Sequence, residues 1–294
     1  MKKMSLIMAG LLACLTGFTQ EDAVKKVNYP VGYNALLDVV YTSGPGWEQK
    51  LDLYLAPKDM GPAPIVINIH GGGWNHGTKE SQTGFSTFFK AGFAVANIEY
   101  RLTPQATAPA AVEDARCALV YIVRNAAALN VDVNRIVIMG GSAGGHLALM
   151  AGLLGNDHRF DGNCKGVENI KVAAIIDKYG ITDVNDWAYG SHITSKSATR
   201  WLGDKAKDEA FIRSVSPVSF VNKNNPPVFI VHGDADPVVP YQQSVDLHKK
   251  LQEAGVKTQF VTIPGGQHGK FPADKNSELN KSIISFLREL NIVK

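Results

Sequence analysis

The stretch that most restricts this chain is Arg135-Ile136-Val137-Ile138-Met139-Gly140-Gly141-Ser142-Ala143-Gly144-Gly145-His146. A β-branched apolar run meets a serine boxed in by glycines, and the small-residue helical pattern Leu147-Ala148-Leu149-Met150-Ala151 follows at once. The order is strand, tight turn, helix. Gly140, Ser142 and Gly144 fit Gly-X-Ser-X-Gly, in which the serine occupies a strained turn that lifts its hydroxyl clear of the sheet edge. Side chains at the glycine positions would collide with the adjoining strand and helix.

A chain of 294 residues accommodates one large α/β domain around such a turn. Ile65 to Ile69, Phe93 to Ile98, Arg135 to Met139, Val172 to Ile176, Val228 to His232 and Thr258 to Ile263 read as strands. Ser81 to Ala91, Pro109 to Leu129 and Ser277 to Leu290 read as helices between and after them. The alternation predicts a mostly parallel, doubly wound sheet with helices on both faces. Leu37 to Tyr41 and Gln49 to Leu55 flank Ser43-Gly44-Pro45-Gly46 and predict a hairpin before the first buried strand. Thr182 to Pro217 has weak periodicity but carries Trp187, Tyr189, His192 and Trp201, and reads as a lid-like insertion, 182–217, over the carboxyl edge of the sheet.

The first residues read as a targeting segment: Lys2-Lys3, an apolar run from Met4 to Leu12, then small and polar residues. The run is too short for a permanent transmembrane anchor. Leu11-Leu12-Ala13-Cys14 resembles a bacterial lipobox, which would make Cys14 a lipidated N-terminus; ordinary cleavage before Glu21 is the alternative. The expected organisation is therefore a signal over 1–20, one domain over 21–294, and export to the periplasm, the medium or a lipid-anchored place in the envelope. The lipid at Cys14 is the one membrane connection expected. Removing Lys2 and Lys3 takes the formal charge from +3 to +1, and no basic run points to nucleic acid. Cys117 and Cys164 are expected as free thiols, since a chain of this size needs no disulfide. No HExxH or clustered His/Cys spacing points to a metal, and no cofactor is implied.

A serine hydroxyl is a poor nucleophile at neutral pH, so Ser142 needs a base and an acid to orient that base. The order expected after this turn is Ser, then Asp or Glu, then His. Val228 to His232 runs into a loop with Asp234 and Asp236, and Thr258 to Ile263 runs into Pro264-Gly265-Gly266-Gln267-His268-Gly269. His268 is the candidate base. Asp236, deeper in its loop, is the candidate acid, with Asp234 as the alternative and Asp246 a solvent-facing helical residue. Backbone N–H groups of Gly72, Gly73 and Ala143 are candidates for holding a tetrahedral oxyanion, since glycines let the chain approach a substrate closely. His70 is expected to bond backbone within that loop, His232 to hold the acid loop, and His146 to be a packed structural residue. Arg101 and Asp114 are expected to pair as scaffold. Trp74, Trp187, Tyr189 and Trp201 are candidate substrate-binding residues, as rings that could stack on sugars.

These residues resemble those of the α/β-hydrolase superfamily, in its hormone-sensitive-lipase-like and BD-FAE branches, the latter named for bifunctional carbohydrate acetyl and feruloyl esterases. The resemblance runs from about Val39 to Phe286. It rests on His70-Gly71-Gly72-Gly73-Trp74, Tyr100-Arg101-Leu102, Ala110 to Ala115, Gly140 to Gly145, His232-Gly233-Asp234-Ala235-Asp236 and Gly265 to Gly269. It implies the α/β-hydrolase fold and a triad of Ser142, Asp236 and His268. Thr103-Pro104-Gln105 stands where the lipase-like branch often has Ala-Pro-Glu, and only a hairpin precedes the first buried strand. Both departures favour the BD-FAE branch. The expected activity is an exported serine esterase acting on a small-molecule or oligosaccharide ester, with acetyl or feruloyl groups on plant polysaccharide as the substrate class. A formamidase, a short-chain lipid esterase or a small peptidase would use the same triad, and a non-catalytic binding protein could occupy the same scaffold.

Overall fold

The computed structural model describes residues 26–164, 166–191 and 196–294. The expected signal, Cys14 and His192 lie outside the described residues.

Among the described residues eight strands form one sheet: β1 (Asn34–Gly44), β2 (Trp47–Leu55), β3 (Ala63–Ile69), β4 (Ala94–Ile98), β5 (Val131–Gly141), β6 (Ala174–Lys178), β7 (Val228–Gly233) and β8 (Thr258–Ile263). Their spatial order is β1-β2-β4-β3-β5-β6-β7-β8. The hairpin β1/β2 and the β2/β4 pair are antiparallel, and every pair from β4 through β8 is parallel. The expected mostly parallel sheet is what forms. Its central strands are buried on both faces, so β3, β4 and β7 are apolar almost throughout.

The helices are α1 (Ser86–Lys90), α2 (Ala110–Leu129), α3 (Ala143–Leu153), α4 (Val184–Tyr189), α5 (Ser197–Leu202), α6 (Glu209–Ser214), α7 (Gln242–Glu253) and α8 (Ala273–Glu289). Strand alternation divides the core into two layers. Ile65, Ile67, Ile138, Ile175 and Ile230 pack with α2, α3, α4, α5, α6 and α7. Val66, Val95, Val137, Ile176 and Val231 pack with α1 and α8 on the other face. This is the α/β-hydrolase architecture.

Three expectations need correction. The helix expected over Ser81 to Ala91 is the shorter α1, because the carbonyls of Lys79 and Gln82 accept hydrogen bonds from Asn97 Nδ2 at 2.7 and 3.3 Å and hold a separate turn there. The strand expected over Val172 to Ile176 is shifted to Ala174–Lys178, so two charged residues close a buried strand. Cys117 and Cys164 are not free thiols but form a disulfide, with Cα atoms 5.3 Å apart. The loop after α3 folds back over α2 because buried Arg116, beside Cys117, grips Asp161 through Nε–Oδ1 (2.8 Å) and Nη2–Oδ2 (2.7 Å). That fork brings Cys164 onto the helix.

Candidate active site

Ser142 joins β5 to α3 with φ 57° and ψ −124°, a left-handed conformation that a non-glycine residue holds only when its surroundings impose it. They do. Its N–H donates to the Lys178 carbonyl on β6 at 2.9 Å, and its carbonyl accepts from His146 N at 3.0 Å as α3 begins. A Cβ on Gly144 would lie 2.2 Å from the Ile69 carbonyl oxygen, so the helix can approach β3 this closely only without a side chain.

The acid and base arrive from neighbouring strand ends. Asp236 follows β7 and His268 follows β8, and His268 Nδ1–H donates to Asp236 Oδ2 at 2.7 Å. The carboxylate side chain is fully buried and its other oxygen, Oδ1, accepts from the amides of Val238 (2.7 Å) and Val239 (3.1 Å). Buried His232 adds a second imidazole, with Nε2 at 3.1 Å from Asp236 Oδ2 and from the Val239 carbonyl. Two acceptors at Nε2 place the proton there, so Nδ1 accepts from the Ser244 hydroxyl at 2.7 Å. Burial works against the charge of Asp236, but the hydrogen bonds from His232, His268 and Val238 outweigh it and hold the carboxyl well below the usual carboxylate range. Asp234 is exposed and accepts from Gly265 N at 2.6 Å through Oδ1, which makes it a loop brace, not the partner of His268.

Ser142 and His268 line one cavity of about 660 Å³, together with Gly72, Gly73, Lys178 and Tyr179. No hydrogen bond joins the serine hydroxyl to the imidazole here; such contacts commonly tighten only with substrate in place. The glycine loop lies against the elbow: a Cβ on Gly71 would stand 2.8 Å from the Gly141 carbonyl oxygen and 3.4 Å from Ser142 Cβ. Ala143, the first residue of α3, has no intrahelical acceptor for its N–H. The positive φ of Gly72 (115°) and Gly73 (56°) turns the loop sharply into the cavity. His70 Nδ1–H donates to the Gly71 carbonyl at 2.7 Å and the ring stacks on Tyr100 at 4.3 Å, bracing that loop as expected. Burial lowers its pKa to about 4, so it stays neutral.

The tryptophans are placed differently from the expectation. Trp74 and Trp201 are almost completely buried, stacked on one another at 4.2 Å, with His146 edge-on to both at 4.9 and 5.2 Å. Neither indole face is left for a sugar. Trp187 packs edge-on to Trp74 at 5.5 Å, donates from Nε1 to the Val238 carbonyl at 2.9 Å, and still reaches the cavity wall. Tyr189 is 47% exposed, outside the cavity lining, with its hydroxyl donating to the Ala206 carbonyl. His146 is the packed residue expected: Nε2–H donates to the Val215 carbonyl at 2.8 Å, and burial lowers its pKa to about 4. Arg101 and Asp114 pair as expected, through Nε and Nη2 at 2.8–3.0 Å, tying the turn after β4 to α2.

Several cavity residues went unread in the sequence, Tyr179 and Lys178 among them. Tyr179 has φ 45°, sits edge-on to His268 at 4.9 Å, and its hydroxyl touches the space beside Gly141 and Gly269. Burial first, then the charges of Asp236 and Asp177, push its pKa up to about 12, so it remains a hydroxyl donor. Lys178 precedes it. The signal for both was their position at the carboxyl end of a parallel strand, where open α/β sheets place their sites.

An eight-strand sheet of this order, a serine on a strained strand-to-helix turn, and a buried Asp–His pair presented from the next strand ends define an α/β-hydrolase. The chain belongs to the BD-FAE family, whose model matches residues 51–251. A second model, that of TAP-like protein, matches residues 210–293. Esterase LipQ of Mycobacterium tuberculosis (strain ATCC 25618 / H37Rv) is 30% identical over 245 residues, 79% of this chain and 56% of that protein. The chain spans between 53% and 59% of the length of the first three curated relatives it matches. Among solved structures, a truncated carbohydrate esterase from gut microbiota superposes with a TM-score of 0.77 at 30% identity, covering 90% of this chain and 99% of the other. An acetyl ester-xyloside bifunctional hydrolase from Caldicellulosiruptor lactoaceticus gives a TM-score of 0.73 at 25% identity, covering 86% and 92%.

Proposed function

We propose that the protein is an exported serine carboxylic-ester hydrolase that removes acetyl or feruloyl groups from plant polysaccharide or its oligosaccharides. One observation carries the chemistry: the buried Asp236 carboxylate fixes His268 through Nδ1 at 2.7 Å, leaving Nε2 for the cavity that it shares with Ser142. In this reading Ser142 Oγ attacks the ester carbonyl carbon while His268 Nε2 takes the hydroxyl proton. The same proton passes to the departing alcohol, leaving an acyl-enzyme. Water, activated by His268, then releases the acid and restores Ser142. Asp236 stabilises the imidazolium, and the amides of Gly72, Gly73 and Ala143 receive the oxyanion.

The carbohydrate substrate class is supported by the likeness to the carbohydrate esterase and the acetyl ester-xyloside hydrolase. Export is supported by the Lys2-Lys3 and Met4 to Leu12 pattern, and a Cys117–Cys164 disulfide suits an oxidising compartment. The test is acetate release from acetylated xylan, run beside methyl ferulate and p-nitrophenyl acetate. Ser142→Ala is expected to lower turnover about ten-thousandfold on each substrate that wild type cleaves. Wild-type rates in Ser142→Ala would overturn the reading.

A further inference from the structure

Lys178 ends β6 directly beside Gly141 in the sheet register, and its carbonyl holds the backbone N–H of Ser142 at 2.9 Å. Its side chain therefore starts from the residue that anchors the nucleophile. Alternation along β6 puts Ala174, Ile176 and Lys178 on one face, the face on which Asn68 of β3 also opens into the cavity.

The ammonium has no ion pair and no hydrogen bond among the described residues. Two other cations set into the protein away from this cavity have carboxylates: Lys79 meets Asp38, Asp52 and Glu80, and Arg101 meets Glu113 and Asp114. Among the described residues no carboxylate lines the cavity around Lys178, and the carboxylate of Asp236 is already taken by two imidazoles. An unpaired cation set into a protein wall is costly unless something supplies the opposite charge. Burial alone lowers its pKa, to about 8, with no acid opposing the fall; below that pH the group is cationic.

We propose that Lys178 is an anion-recognising residue of the substrate site, and that the substrate carries a carboxylate on its alcohol portion, as in an acylated uronic acid residue. The inference rests on the esterase reading above. Acetyl and feruloyl groups bear no carboxylate of their own once esterified, so a charge that meets Lys178 belongs to the sugar. Uronic acids are the abundant carboxylate-bearing sugars of plant polysaccharides. Lysine suits the task as a compact charge on a flexible stem that can follow the ring.

The test compares kcat/KM for acetylated methyl glucuronoside with that for acetylated methyl glucoside, and the galacturonoside with the galactoside, at pH 6.5. Wild type is expected to favour the uronate of at least one pair tenfold or more. In Lys178→Met the ratio collapses to near one, and in Lys178→Arg it is largely kept. Equal rates on charged and neutral sugars in wild type overturn the proposal, as does a Lys178→Met variant that slows both alike. Calorimetric titration of wild type and Lys178→Met with sodium glucuronate, sodium galacturonate and glucose needs no turnover. Binding of a uronate that depends on Lys178, without hydrolysis of any ester, overturns the esterase reading and supports the anion site. Brisk hydrolysis of neutral sugar esters with no uronate preference overturns the anion site alone.

Discussion

Asp236 offers one oxygen, Oδ2, to His268 Nδ1 at 2.7 Å. The same oxygen is shared with His232 Nε2 at 3.1 Å, while Oδ1 is taken by the Val238 and Val239 amides. The acid is thus fixed on all sides before it orients the base. Asp236→Asn would present an N–H where His268 needs an acceptor, or leave an amide unmatched in a fully buried pocket. Turnover is expected to fall about ten-thousandfold, by comparison with acid-to-amide changes in other triads. Asp234→Asn keeps an acceptor for Gly265 N and is expected to cost less than about tenfold. Steady-state kinetics on p-nitrophenyl acetate for both variants decides which aspartate serves the histidine.

His232 bridges the Ser244 hydroxyl and Asp236, so it acts on the reaction through the acid. His232→Gln cannot hold both contacts in the same geometry. A loss of about tenfold in kcat with little change in KM is expected, corresponding to one hydrogen bond to a charged group. Ser244→Ala, which loses only the far end of the chain, is expected to cost less. Parallel kcat and KM values for the two variants check the order.

The disulfide closes a loop with a sequence separation of 47 residues. In the chain-entropy picture, a closure of that length stabilises the folded state by about 4 kcal/mol. The double variant Cys117→Ser, Cys164→Ser is expected to lose stability on that scale in urea denaturation. Its kcat is expected to match wild type, because the Arg116–Asp161 fork still seats the loop after α3 on α2 and none of these residues lines the cavity.

Asp177 is fully buried on β6, with Oδ1 accepting from Gly180 N at 3.1 Å and Oδ2 without a partner among the described residues. Burial raises its pKa from 3.8 to about 7, with only the Gly180 bond opposing. A raised acid binds its proton more tightly in the folded state than in the unfolded one. The stability it contributes is therefore complete below the unfolded value and is lost as pH rises to about 7. Asp177→Asn is expected to flatten that fall, so the stability difference between variant and wild type should shift in the variant's favour by up to about 4 kcal/mol between pH 4 and pH 8. Urea denaturation at both pH values checks the sign.

Much of this was legible before any coordinates. Ser142 could be placed because glycine spacing and a β-branched run are local signals, and the β8 segment Thr258–Ile263 was readable in full because its flanks are turn residues. Asp236 and His268 followed from chain order after that serine. What stayed hidden was set by distant partners. Asp177 and Lys178 look like the end of a strand, because charged residues rarely continue a buried one, so the sequence pattern stops at Ile176 and does not reveal the cavity's cation. Cys117 and Cys164 gave no pairing signal, since the Arg116–Asp161 fork that joins them is a tertiary contact. The tryptophans showed their chemistry but not their direction: stacking on each other or on a ligand reads the same in one dimension.

Trp74 follows the glycines of the cavity loop, and Trp201 belongs to α5, more than a hundred residues later, yet their indoles stack at 4.2 Å. Two chromophores held face to face couple their ultraviolet transitions. The molecule thus carries an internal optical gauge, an exciton couplet in far-ultraviolet circular dichroism, whose amplitude tracks the separation of α5 from the glycine loop without any added label.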